Sequence, residues 1–436
     1  MNNPKDIIDF STQEKRRLLE DFLRPKKDVG NDPQKILSQQ FQFPEEYVAL
    51  KERFGQLDQY GKIYFNPSQG INNNLTVIDG RQLINFSGYN YLGMSGDPVV
   101  SQAAREAIDR YGTSVSASRI ASGQRPLHEE LEAEITQLLA TEDCIVFVGG
   151  YGTNESTIGH LCGSKDLILY DSLIHASVQA GARLSGSTVR PFPHNSWEAL
   201  DEILKERRSS YRQVLIVIEG VYSMDGDIPN LPKFIEIKKR HQALLMIDEA
   251  HSIGVLGEHG AGIGEYYNVN RTDVDLWMGT LSKSFASCGG YIAAQRKVVE
   301  YLKYTVPGFV YSVGMSPPNA AAALTAIRQM KREPKRLAQL RSRAQLFLER
   351  AQNLGLNTGT SKDSPVIPII LGQSLHCVEL YKALYDRGIL AIPVMYPAVP
   401  ESASRLRFFI TCLHTEEQIG TTIDTIAESM PHISSK

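Results

Sequence analysis

Apolar positions along this chain change their spacing at about residue 100. Before it, Leu18, Leu19, Phe22 and Leu23 form a helical stripe behind Ser11-Thr12-Gln13-Glu14. That tetrapeptide has the form of a capping box, in which hydroxyl and carboxylate satisfy free amides at a helix start. Asn73–Asn85 reads as a short hairpin with Asp79-Gly80 at its turn. Beyond residue 100, helical and strand-like apolar segments alternate. Leu127–Ala140 reads as an amphipathic helix and Asp143–Val148 as a short buried strand. Leu167–Tyr170, Val214–Ile218 and Ala243–Ile247 are further apolar runs, each bounded by polar turns. Such alternation predicts an α/β fold with a mostly parallel sheet covered by helices on both faces. After Pro317-Pro318 a long helix, Ala320–Lys331, leads into an Arg-rich helix, and a separate α+β region starts near Leu356. The pattern divides the chain into a helical extension (1–70), a hairpin segment (71–100), a large domain (101–335) and a small C-terminal domain (336–436).

Composition narrows the class without naming it. The 436 residues are 42% hydrophobic and 22% charged, an ordinary core-forming mixture. A net charge of -3 gives no reason to expect nucleic acid or an anionic membrane as partner. No stretch approaches the roughly 20 apolar residues of a membrane span, and Met1–Phe10 lacks the apolar core of a signal peptide. The five cysteines are odd in number, scattered and free of any CxxC pair, so they read as reduced thiols in a cytoplasmic protein.

Three polar clusters fall where a parallel α/β sheet binds ligands, beyond the carboxyl ends of strands. Val148-Gly149-Gly150-Tyr151-Gly152-Thr153-Asn154 follows a strand and opens a helix, where amides and the helix dipole suit an anion. Glycines in such turns equally serve packing. Asp248-Glu249-Ala250-His251 follows an apolar run, and a buried carboxylate there needs a cationic partner. A pyridinium nitrogen, a structural Asp–His pair or, least favoured, a metal would each meet that need. Gly279-Thr280-Leu281-Ser282-Lys283 sets a lysine among small and apolar residues, which lowers its pKa and sharpens it as a nucleophile toward an aldehyde. Gly257–Gly264 imitates a nucleotide loop but lacks the lysine of a P-loop.

In this order the clusters resemble fold-type I pyridoxal phosphate (PLP) enzymes, and further motifs resemble the α-oxoamine synthase family. These are Ser118-Arg119 with Ser122-Gly123, Leu127–Glu132, Asp171–Ser177 and above all Glu219-Gly-Val-Tyr-Ser-Met-Asp-Gly-Asp227. The match runs from about Phe86 to His414. Tyr89-Asn90-Tyr91-Leu92-Gly93 is similar to the serine palmitoyltransferase-like and polyketide-associated branch, with Tyr89 placed against the substrate. Ala398 stands where biotin-pathway members have Thr.

The resemblance implies a large domain around a mostly parallel seven-stranded sheet and a smaller C-terminal α+β domain. It implies PLP-dependent decarboxylative condensation of an amino acid with an acyl thioester. Lys283 would carry PLP and later take the Cα proton. Asp248 would pair with the pyridine nitrogen, His251 with the ring 3-oxygen, and His175 would stack over the ring with Ser223 beside it. Gly150, Tyr151 and Thr280 would hold the phosphate. The turn Tyr311-Ser312-Val313-Gly314 would reach the phosphate of a neighbouring subunit, with Ser312 and Val313 at the contact, which makes a homodimer the expected unit. Arg405 would clamp the amino-acid carboxylate; without the family it reads as a surface arginine. An acyl carrier protein is a candidate partner through Lys15, Arg16, Arg17, Arg24, Lys26 and Lys27, although a solvated arm is the favoured reading of that segment. An aminotransferase or lyase on the same fold is the competing enzyme reading, and a non-catalytic partner subunit the competing class.

Overall fold

The computed structural model describes residues 60–434, with Tyr47, Val48, Lys51 and Gly55 before them. The capping box at Ser11 and the basic cluster Lys15–Lys27 lie outside the described residues. The chain divides into two units, Met1–Gly61 and Lys62–Lys436, and every strand named below belongs to the second.

Strands β1 (Leu75–Ile78) and β2 (Arg81–Asn85) form the expected hairpin, pairing Ile78 with Arg81. Asp79 and Gly80 take φ of 50° and 75°. The twist-matched two-residue turn requires positive φ at both positions, and Asp-Gly supplies it at little cost.

Seven strands build the main sheet: β3 (Asp143–Phe147), β4 (Leu167–Asp171), β5 (Thr188–Phe192), β6 (Val214–Glu219), β7 (Leu244–Asp248), β8 (Leu276–Thr280) and β9 (Gly290–Ala294). Their order is β3-β9-β8-β7-β6-β4-β5, and only β9 runs antiparallel to its neighbours. Every residue of β6 is buried. Its Val214, Ile216 and Ile218 enter one apolar layer while Leu215 and Val217 enter the other. Helices cover both faces, so the strand reads as a continuous apolar run instead of an alternating one. Strand β5 is absent from the sequence expectation because it lies at the sheet edge, mostly out of the core, and carries Pro191.

After the helices Pro317–Arg332 and Lys335–Asn353 the chain makes a second antiparallel sheet from β10 (Val366–Ile370), β12 (Pro393–Val394) and β13 (Arg405–Phe409), in the order β10-β13-β12. The two-residue β11 (Ile389–Leu390) instead joins β2 in parallel. On β13, Leu406 and Phe408 are fully buried, Phe408 against Phe86 and Phe347. The pleat therefore turns Arg405, Arg407 and Phe409 to the opposite face.

Candidate active site

The carboxyl ends of β6, β7 and β8 lie side by side, with Glu219 paired to Asp248 and Asp248 to Met278 across the ladder. A cavity opens over them, lined also by Gly150, Tyr151, Asn154, His175, His251, Thr280 and Lys283. The strand order, not sequence proximity, assembles this set.

Asp248 is buried. One carboxylate oxygen accepts from Asn154 Nδ2 at 2.7 Å and the other from the Ala250 amide at 2.9 Å. Among the described residues no cationic side chain forms an ion pair with it, so two neutral donors alone hold a buried carboxylate. A protonated ring nitrogen is the partner this arrangement lacks, and Asn154 keeps the carboxylate aimed toward it.

Lys283 Nζ lies 2.9 Å from His251 Nε2 and 5.8 Å from the centre of the Tyr89 ring. Burial lowers its pKa to about 8, against the pull of Asp248 and Glu219, while Arg407 adds to the fall. His251 is pressed well below the ordinary range, first by burial and then by Lys283, Arg407 and His175. It is a neutral imidazole. Burial likewise lowers His175, whose ring nitrogen Nδ1 sits 2.7 Å from Ser177 Oγ at the start of the helix Ala176–Leu184. The backbone amide of His175 donates to Glu219 at 2.7 Å. Burial, then the adjacent Asp248, pushes the Glu219 carboxyl well above the usual range.

The anion end is built from backbone. Gly150 opens the helix Gly150–Leu161 beneath Thr280, and a Cβ there would come within 2.7 Å of Thr280 Oγ1. Only glycine allows so close an approach. Free amides at this helix start suit a phosphate. Together with the lysine and the unpaired Asp248, these residues fit PLP at both its charged ends.

The structure places Arg405 away from the cavity. Its Nη1 pairs with Asp225 at 2.5 Å and donates to the Met224 carbonyl, and its Nε donates to the Ala403 carbonyl at 2.8 Å. It is a buried cation already paired with Asp225, whereas the resemblance would have it clamp the amino-acid carboxylate. Two residues on, Arg407 donates to the Ser223 carbonyl at 2.8 Å and lies over the Phe409 ring at 4.5 Å. Phe409 in turn stacks parallel to His251 at 6.1 Å. Among the described residues Arg407 forms no ion pair, and its buried Nε has no hydrogen-bond partner. Both arginines leave the strand on the same face, but only Arg405 is paired with a carboxylate.

Tyr89, 44% exposed, stands beside Lys283 and edge-on to Phe409. Ser223 contributes its backbone, donating to Glu219 and accepting from Arg407, and does not line the cavity. Ser312 and Val313 are not among its lining groups, and Tyr311 beside them is 85% exposed. Asn154 and Tyr91 were not singled out from the sequence. Asn154 was within reach of it, one helical turn beyond Gly150 in the same glycine-rich segment; Tyr91 stands inside the Tyr89–Gly93 motif, where nothing local points to its hydroxyl.

The Glu219–Asp227 motif also has a fold-level task. His194 bridges Asp171 and Asp227 at 2.8 and 2.9 Å, and those two carboxylates raise its pKa to about 10 against the effect of burial. Gly226, at φ 69°, passes against the Val366 carbonyl of β10, where no side chain fits. The motif thus joins the main sheet to the second one.

A family model for "Aminotransferase class I and II" matches residues 81–426. The chain is 38% identical to a serine palmitoyltransferase of Sphingobacterium spiritivorum over 361 residues, 83% of this chain and 90% of that one. It is 36% identical to an 8-amino-7-oxononanoate synthase of Symbiobacterium thermophilum over 353 residues, 81% of this chain and 90% of that one. Among solved structures, serine palmitoyltransferase from S. paucimobilis with bound PLP–myriocin aldimine superposes with a TM-score of 0.86 at 28% identity, covering 90% of this chain and 99% of that chain. The Sphingomonas wittichii serine palmitoyltransferase gives 0.85 at 30% identity, covering 89% and 98%. The chain belongs to the class I and II aminotransferase family and, within it, to the PLP-dependent α-oxoamine synthases.

Proposed function

We propose that this chain condenses an α-amino acid with an acyl thioester on PLP, releasing the thiol and carbon dioxide and leaving an α-amino ketone. The observation that carries the reading is the pairing of a desolvated lysine, Lys283, with a buried carboxylate, Asp248, that has no cationic side chain bonded to it. When bound, PLP supplies a protonated pyridine ring that draws electrons from the amino acid's Cα.

The protein's own groups do the rest. Asp248, aimed by Asn154, holds the proton on the ring nitrogen. The Gly150 and Tyr151 amides and the Thr280 hydroxyl take the phosphate. Arg407 binds the substrate carboxylate, because it is a buried guanidinium with an unused hydrogen-bonding nitrogen, and its charge acts on Lys283 and Glu219. Lys283 Nζ would hold the cofactor, and as a free amine it would take the Cα proton; a pKa of about 8 leaves a useful fraction of free amine at neutral pH. His175, fixed by Ser177 and Glu219, closes one side of the cavity.

Lys283→Ala tests the assignment. Turnover should fall by at least about 10⁴-fold, the upper end of what a single acid–base group is worth, and the visible absorbance of lysine-bound cofactor should vanish. Retention of both would end the reading. Release of carbon dioxide and free thiol in equal amounts separates condensation from transamination or elimination.

The turn carrying Ser312 and Val313 serves the site of a second copy, so the working unit is a homodimer. Its absence from the lining of this chain's own cavity and the exposure of Tyr311 support that. A fully active monomer by sedimentation would exclude it. The five unpaired cysteines suit a cytoplasmic enzyme, and no described helix is long and apolar enough to cross a membrane. The acyl donor is a CoA ester or a carrier-bound thioester. Deleting Met1–Lys27 decides whether a carrier docks there: loss confined to the carrier-bound donor supports docking.

A further inference from the structure

A line of hydrogen bonds runs from Asp248 to His175 along the cavity. Asn154 Nδ2 donates to Asp248 at 2.7 Å and to Ser177 Oγ at 2.9 Å. Ser177 Oγ in turn lies 2.7 Å from His175 Nδ1, and the Ser177 backbone amide points at the same nitrogen from 3.3 Å. Asn154 and Ser177 are both buried. The far nitrogen, His175 Nε2, has no hydrogen-bond partner among the described residues, and its ring helps line the cavity.

Each hydrogen on this line has one place to go. The two hydrogens of Asn154 Nδ2 point to the Asp248 carboxylate and to Ser177 Oγ; turning the amide over would set its oxygen against that carboxylate. Ser177 Oγ therefore accepts from Asn154, and its own hydrogen needs an acceptor. Among the described residues His175 Nδ1 is the acceptor within reach. If Nδ1 carried the imidazole hydrogen, Ser177 Oγ would face two donors and its own hydrogen would be stranded in a buried place. The Ser177 amide would also meet a second N–H. Both are costly, so Nδ1 accepts. Burial lowers the pKa of His175 and keeps the ring neutral, so its one hydrogen sits on Nε2.

We propose that Ser177, aimed by Asn154, is a positioning residue that fixes His175 with its hydrogen on Nε2 and so makes it a hydrogen-bond donor to a substrate oxygen in the cavity. The arrangement holds with PLP in place. Each Asp248 oxygen has two lone pairs, so the carboxylate keeps the Asn154 bond while it takes a ring nitrogen. A ring stacked on His175 would cover its face and leave the edge at Nδ1 to Ser177. Asn154 thereby sets two things at once, the carboxylate for the pyridine nitrogen and the donor for the substrate. The inference rests on this cavity being the PLP site of the proposed function.

Nitrogen NMR of ¹⁵N-histidine-labelled protein, with His175 assigned by its loss in His175→Gln, reads the unaltered chain with and without PLP. A hydrogen on Nε2 is expected in both, and one on Nδ1 in the holoenzyme overturns the proposal. Ser177→Ala removes the hydroxyl and leaves only the longer amide bond to Nδ1. The Nδ1-protonated form should then gain population, and kcat/KM should fall about tenfold, the scale of one hydrogen bond. A lower melting temperature with unaltered histidine signals and unaltered kcat/KM overturns the proposal, because a packing role would change stability alone. Lys283→Ala keeps the two questions apart: if that variant is dead while His175 of the holoenzyme carries its hydrogen on Nδ1, the function stands and this inference falls.

Discussion

The carboxyl ends of the main sheet and one face of β13 both carry buried charged groups, but they hold them differently. At the sheet ends, Asp248, Lys283 and Glu219 sit on or just beyond strands whose neighbours are fixed by the ladder, and each is oriented by a bond from an adjacent turn or helix. On β13 two arginines project from one face, and the outcome for each depends on what the Ser223–Asp225 loop offers. Asp225 neutralises one and a carbonyl merely steers the other. A strand end specifies a site by topology; a strand face specifies it only through its tertiary partner.

That contrast can be broken most sharply at Asp248. Asp248→Asn keeps the hydrogen-bond geometry and removes the charge; turnover should fall at least about 10²-fold, the scale of losing one preorganised charge, and PLP should be lost more readily on dialysis. Near-normal kinetics would mean that the sheet end does not hold a ring nitrogen.

The two arginines come next. Arg407→Ala should raise the KM for the amino acid about 10- to 100-fold, as expected for a charge-assisted pair worth about 1.5–3 kcal/mol. Arg405→Ala strands Asp225 and should lower stability by about 3–5 kcal/mol, with little change in KM for the enzyme that remains folded. The reverse pattern in a paired melting and kinetic experiment would restore Arg405 as the clamp.

The smallest effects concern pH, and here the regions should fail at opposite ends. His194, bonded to Asp171 and Asp227 beside the main sheet, has its pKa raised from 6.5 to about 10. The stability it contributes is complete below pH 6.5 and is lost as pH rises toward 10. His414, stacked on Phe86 at 4.2 Å, is lowered from 6.5 to about 4 by burial. Its contribution is present above pH 6.5 and is lost as pH falls toward 4. Each is worth a few kcal/mol at most. Melting temperatures of His194→Gln and His414→Gln across pH 4–10 should therefore flatten the alkaline and the acid limb, respectively. Two variants with the same pH profile would refute the division.

Much of this protein is written locally. The hairpin follows from Asp79-Gly80, the central strands from apolar runs that must be buried on both faces, and the sheet-end chemistry from polar residues placed directly after those runs. Gly150 and Lys283 are legible because small residues crowd around them, a local property. What the sequence did not decide by itself were choices between equivalent neighbours. Arg405 and Arg407 share a face of one strand, and only the position of Asp225, 180 residues away in the chain, commits the first and not the second. Tyr91 looks like any core aromatic until the fold brings its hydroxyl to His251. Local patterns fix elements because backbone and burial preferences act over a few residues; the partner of a charge or a hydroxyl is set by distances that exist only after the chain has closed.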